Sequence, residues 1–175
     1  MRGKPESPQK TCRAARRAFI AACEAAHAET VARLHPAKAP DGKPLFMDCT
    51  ALGPRHAEKA LLVISYDAPG SEVLVSLLHD VKAPAEARLV LVHALDPAQF
   101  AGVAGDANWP STMLQAVATE DLCHVKNLSL LSLGRDGKSV VPALQSALPG
   151  AHITVLPSSS GVEQTRHAVI AFFAA

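Results

Sequence analysis

From residue 60 onward the chain alternates short apolar runs with longer stretches whose apolar residues recur at helical spacing. The runs Ala60–Ser65, Arg88–Ala94, Asn127–Leu133 and His152–Leu156 read as strands. Between and after them, Gly70–Val81, Thr112–Thr119, Ser139–Ala147 and Gly161–Phe173 read as helices. Strands that are apolar at nearly every position are buried on both faces, so the expected sheet is mostly parallel and covered by helices on each side. The connection from Gly70 to Ala87 has room for one helix, which places Ala60–Ser65 and Arg88–Ala94 side by side and parallel through a right-handed crossover.

The first third of the chain has a different rhythm. Thr11 can cap a helix from about Cys12 to Ala28, in which Ala15, Phe19, Cys23 and Ala26 share a face and Arg13, Arg17 and Glu24 look away. Val31–His35 and Leu45–Thr50 flank a Pro-rich turn with Asp41-Gly42 and read as an antiparallel hairpin with a long loop. Leu52-Gly53-Pro54 marks its exit. The expected architecture is thus α/β, a mixed and mostly parallel sheet with helices on both faces and an N-terminal antiparallel hairpin. Residues 11–175 form the single domain, and residues 1–10 a disordered basic leader. At the other end, Val169, Ile170 and Phe173 are expected to pack the last helix on the sheet, with any apolar surface left there supporting a homodimer.

Composition supports a self-sufficient core, since 175 residues at 49% hydrophobic content need no staples. Seventeen Lys and Arg against sixteen Asp and Glu give a net charge of +1, which offers no electrostatic case for nucleic acid. Residues 1–17 are locally basic: Arg2, Lys4, Lys10, Arg13, Arg16 and Arg17 stand against Glu6 alone, and we read the stretch as a solvated leader. Cys12, Cys23, Cys49 and Cys123 form no C-x-x-C pair and are expected to be reduced, small buried thiols. Met1–Lys10 has no apolar core of a signal peptide, and the apolar run Ala168–Ala175 is too short to span a bilayer. A cytoplasmic chain without membrane contact is expected.

Candidate chemistry gathers where strands end, because in parallel α/β sheets ligands bind outside the carboxyl ends of strands. The turn after Ala60–Ser65 holds Tyr66, Asp67, Ser71 and Glu72, and the second strand ends with His93 and Asp96. Asp67, Glu72, His93 and Asp96 are therefore the candidate catalytic cluster. Gly134 to Ser139 follows a strand and opens a helix, but the spacing of a phosphate-binding P-loop would need glycine where Ser132 stands. Ser158, Ser159, Ser160 and Gly161 precede the last helix and are the candidate anion-binding group. No G-x-S-x-G elbow accompanies them, which disfavours a serine hydrolase. His79 and His124 are weaker candidates.

The Ala-rich helix, His35-Pro36, the Asp41-Gly42 turn, Leu52-Gly53-Pro54, the strand ending LLVIS and the strand LVLVHALDP together resemble a bacterial domain-of-unknown-function family, number 2817, of the zinc carboxypeptidase superfamily. The resemblance covers about residues 13 to 102 and implies a carboxypeptidase-like fold. In that family the first of these strands runs into T-H-G-V-E, whose His and Glu are zinc ligands by analogy with carboxypeptidases. Aligned through Ile64-Ser65, those positions fall here on Ala68 and Ser71. A one-residue slip brings Glu72 onto the glutamate but puts Pro69 at the histidine. The family's Asn-Arg substrate segment corresponds to GVAGDANWPS, which has no Arg. Asp121-Leu122-Cys123-His124 resembles the segment of the superfamily's third ligand. The resemblance therefore implies a retained scaffold with no metal or cofactor, in a non-catalytic protein that binds a protein or small-molecule partner. Two alternatives stay open: a metal-dependent hydrolase whose zinc has moved to Asp67, Glu72 and His93, and a small α/β domain that binds an anionic metabolite through the Gly134 and Ser158 turns.

Overall fold

The computed structural model describes residues 30–38, 44–65, 86–94, 109–133, 137–157 and 162–174, together with Arg17, Ile20, Ala21 and Glu24, which are helical and lie within the first expected helix. The leader and the expected helix Gly70–Val81 lie outside the described residues. Strands β1 (Thr30–Lys38) and β2 (Pro44–Leu52) precede β3 (Lys59–Ser65) and β4 (Ala87–Ala94). Helix α1 (Trp109–Asp121), β5 (Asn127–Leu133), a 3-10 turn (Gly137–Val140), α2 (Val141–Ala147), β6 (His152–Val155) and α3 (Val162–Ala174) follow.

These strands form one sheet in the order β1-β2-β4-β3-β5-β6. Strand β2 is antiparallel to both of its neighbours, and β4, β3, β5 and β6 run parallel. The expected parallel neighbours are thus β3 and β4, paired from Lys59 with Ala87 to Ser65 with His93.

Side chains alternate across a strand, so each central strand feeds two cores. Ala60, Leu62 and Ile64 of β3, Val90 and Val92 of β4, and Leu128 and Leu130 of β5 pack on one face against Leu114, Val117, Ala118 and Leu122 of α1 and its exit, and Leu144 and Leu148 of α2 and its exit. On the other face Leu61, Val63, Leu89, Leu91 and Leu131 meet Val169 and Phe172 of α3. Helices cover both faces, as near-continuous apolar strands require.

The hairpin is longer than its sequence suggests. Each strand has nine residues, and Pro36 pairs with Phe46 rather than lying in the loop. Proline removes a backbone donor, and β1 tolerates it because it is the outermost strand on that side of the sheet. Helix α1 begins three residues before the expected Thr112, since Pro110 sits in the first turn, where its missing N–H costs nothing. The expected helix from Ser139 to Ala147 starts as a 3-10 turn and becomes α-helical only at Val141.

Two expectations are corrected. Ile170 is 41% exposed and does not pack on the sheet; the inward face of α3 runs through Thr165, Val169 and Phe172, with Phe173 half-buried beside them. Residues four and three apart share a helical face, whereas Ile170 is turned about 100° from Val169. The thiols are also not all buried: Cys49 is, but Cys123 is exposed in the loop after α1. Among the described residues, no helix is long and apolar enough to cross a membrane.

Candidate functional site

The sheet brings three strand ends together. Ser65, the last residue of β3, lies in register between His93 of β4 and Leu133 of β5, and His93 is also opposite Asp48 of β2. This carboxyl edge is the place where the turn carrying Asp67 and Glu72 leaves β3 and the segment carrying Asp96 leaves β4. The backbone of His93 is therefore placed at the expected edge. Asp67, Glu72 and Asp96 lie outside the described residues, as do Ala68, Ser71, His79 and the group Ser158, Ser159, Ser160 and Gly161. Strands β5 and β6, which the Gly134 and Ser158 turns follow, are parallel neighbours. Beneath the edge Ile64 is 2% exposed, and its register partner Ser132 has a buried Oγ with no hydrogen-bond partner among the described residues.

The opposite, amino-terminal edge holds a feature that sequence reading did not identify. A cleft of about 650 Å³ opens between the turn before β3, the exit of α1 and the exit of α2, lined by His56, Glu58, Cys123, His124 and Lys126 among others. The His56 and His124 rings meet edge to face, with centroids 4.9 Å apart and planes at 66°. Glu58 and Lys126 form an exposed ion pair at 2.8 Å. The turns are closed by Ala57 N–H donating to the Pro54 carbonyl at 3.1 Å and Val125 N–H to the Leu122 carbonyl at 3.0 Å. Below them, the Lys126 and Asn127 amides both donate to the Glu58 carbonyl, at 2.8 and 3.0 Å, which locks the start of β5 to the start of β3.

His124, the weaker candidate, lies apart from the carboxyl-edge residues. It precedes β5, which runs parallel to β3, so it lies at the amino edge, a strand length of roughly 20 Å from Ser65. Among the described residues, no group of three or more His, Cys, Asp or Glu could hold a metal ion.

Residues 9–103, more than half of the chain, match the family described as "Protein of unknown function (DUF2817)". The chain belongs to this family. Among curated proteins none matches this DUF2817 chain. Of the solved structures, a putative zinc-dependent exopeptidase from Bacteroides vulgatus ATCC 8482 is similar over 90% of this chain and 83% of its own, at 10% sequence identity and a TM-score of 0.56. The glutaminyl cyclase of Porphyromonas gingivalis aligns over 93% of this chain and 71% of its own, at 15% identity and a TM-score of 0.47. The DUF2817 chain has an exopeptidase-like α/β fold.

Proposed function

We propose that this DUF2817 chain keeps an exopeptidase-like scaffold and uses the carboxyl edge of its sheet for binding or regulation rather than for zinc hydrolysis. The observation that supports this reading is the residue pair at the family's ligand positions. Counted from Ser65, which ends β3, those positions hold a methyl group at Ala68 and a neutral hydroxyl at Ser71. Catalytic zinc takes three protein ligands and leaves a fourth position open. Neither replacement donates an imidazole nitrogen or a carboxylate oxygen, so the residues at those positions do not fit zinc, and no catalytic step is assigned to it. The occupant is a protein or small-molecule partner; anion capture by the Ser158 to Gly161 turn is the variant of this reading that a bound phosphate or sulfate would favour.

One observation favours a second reading. Register places His93 beside Ser65, two residues before Asp67, so a metallo-hydrolase with a relocated site would draw on Asp67, Glu72, His93 and Asp96. Hydrolysis assays with amino-terminal and carboxyl-terminal peptide substrates in added zinc separate the two. The binding reading expects no turnover above the uncatalysed rate. Turnover that is lost in Asp67→Ala, Glu72→Ala or His93→Ala would replace it with the hydrolase.

A further inference from the structure

We infer that Asp48, His93 and Ser65, which stand in one cross-strand row at the carboxyl edge of the sheet, form a carboxylate–imidazole–hydroxyl relay that makes the Ser65 hydroxyl an acyl-accepting nucleophile. This goes beyond the binding reading and needs no metal. The register sets the row: Asp48 of β2 pairs with His93 of β4, and His93 pairs in turn with Ser65 of β3. Neighbouring strands lie about 4.7–4.9 Å apart, so three residues from segments distant in the chain become successive neighbours.

The three positions also share a face. Alternation along each strand puts Ser65 with Leu61 and Val63, His93 with Leu89 and Leu91, and Asp48 with Thr50 and Leu52, and the leucines and valine of these sets belong to the second core. Leu34 of β1 and Leu133 of β5 bound the row at its two ends. A largely apolar face therefore turns polar over three adjacent strands where it reaches the edge. One row below, Thr50 is 0% exposed, and its Oγ1 has no hydrogen-bond partner among the described residues. Buried hydroxyls are nearly always partnered, and one that is not calls for an explanation, of which a catalytic site is one.

The order of the row fits one chemistry. An imidazole has two nitrogens, and a histidine placed between a hydroxyl and a carboxylate can take the hydroxyl proton on one while the other donates to the carboxylate. Ser65 is the nucleophile, His93 the general base, and Asp48 the positioning residue that fixes the imidazole tautomer. Such a relay is recognised by roles and geometry and not by a sequence elbow. Ser65 ends its strand at the edge where parallel sheets bind their ligands. The substrate class is a carboxylic ester. The Ser65 oxygen bonds to the ester carbonyl carbon as its proton passes to His93; the bond to the alcohol oxygen then breaks, and the alcohol leaves with that proton. Water gives a proton to His93 and attacks the acyl group, the carboxylic acid departs, and His93 returns the proton to Ser65.

The test is covalent labelling of the untagged chain by an alkyl fluorophosphonate in the presence of chelator, read by intact mass and peptide mapping. In this reaction the Ser65 oxygen bonds to phosphorus, the P–F bond breaks, fluoride leaves and His93 takes the proton. The parent gains one phosphonyl group, on Ser65, and Ser65→Ala gains none. His93→Gln and Asp48→Asn, each checked by circular dichroism to be folded, label roughly 10²–10⁴-fold more slowly. Asp48→Glu recovers part of the rate lost in Asp48→Asn, because the charge and not the packing of Asp48 is what acts through His93. Hydrolysis of 4-nitrophenyl butyrate in chelator follows the same order across the variants. An unlabelled parent, a label on any other residue, or a label on Ser65 whose rate is unchanged in both His93→Gln and Asp48→Asn overturns the relay. Ester hydrolysis that appears only with added zinc also overturns it, in favour of the metallo-hydrolase.

Discussion

Arg88 of β4 and Asp121 at the end of α1 form a buried ion pair, Nη2 to Oδ1 3.4 Å, with side chains 4% and 2% exposed. The same guanidinium donates through Nη1 to the Gly53 carbonyl at 2.7 Å, and the Cys49 thiol donates to the other Asp121 oxygen at 3.6 Å. One polar knot thus joins the exit of β2, the start of β4 and the end of the helix that covers them. Removing one partner leaves a buried charge poorly compensated, so Asp121→Ala is expected to cost about 3–5 kcal/mol in urea unfolding. The double variant Arg88→Met, Asp121→Leu is expected to regain most of that loss, because a buried pair adds little over an apolar pair of similar volume.

Gly53 enters this knot through its backbone and must be glycine. Its φ is +101°, and a Cβ there would lie 2.5 Å from the Ala87 carbonyl oxygen. Gly53→Ala is therefore expected to destabilise by at least about 1–3 kcal/mol. Gly150, where a Cβ meets nothing within 4 Å, provides the contrast. Gly150→Ala is expected to be neutral or to stabilise by up to about 1 kcal/mol, through the unfolded chain. Equal thermal shifts for the two variants would contradict this account of the turn.

Helix α3 is held by Phe172, which is 8% exposed, sits in the second core and meets the Phe173 ring edge to face at 5.1 Å. Lys59 of β3 closes the helix end, with Nζ donating to the Phe172 carbonyl at 3.3 Å and lying 4.7 Å from its ring centroid. Phe172→Ala is expected to cost about 3 kcal/mol, and Ile170→Ser less than about 0.5 kcal/mol. Chemical denaturation of the two variants checks the face assignment; the reverse order would restore the packing through Ile170.

The sheet was legible in the sequence because its strands are apolar at almost every position. Leu61 to Ile64 and Leu89 to Val92 can only be central, and the chain between them is long enough for a crossover. Edge and terminal elements were less legible. Pro36 reads as a loop residue until β1 is known to be outermost, and the phase of α3 is ambiguous when Val169, Ile170, Phe172 and Phe173 are all apolar. The His56 and His124 contact was invisible for a different reason: no local pattern signals a meeting of two turns that only the β3 and β5 pairing brings together.

The central claim, that the carboxyl edge of the sheet does no zinc chemistry, is tested most directly by the zinc content of the untagged chain, purified without added metal or chelator and passed through gel filtration. The account predicts zinc far below one ion per chain. One zinc per chain that survives filtration and disappears in the variant His93→Ala would contradict it and place a metal centre beside Ser65.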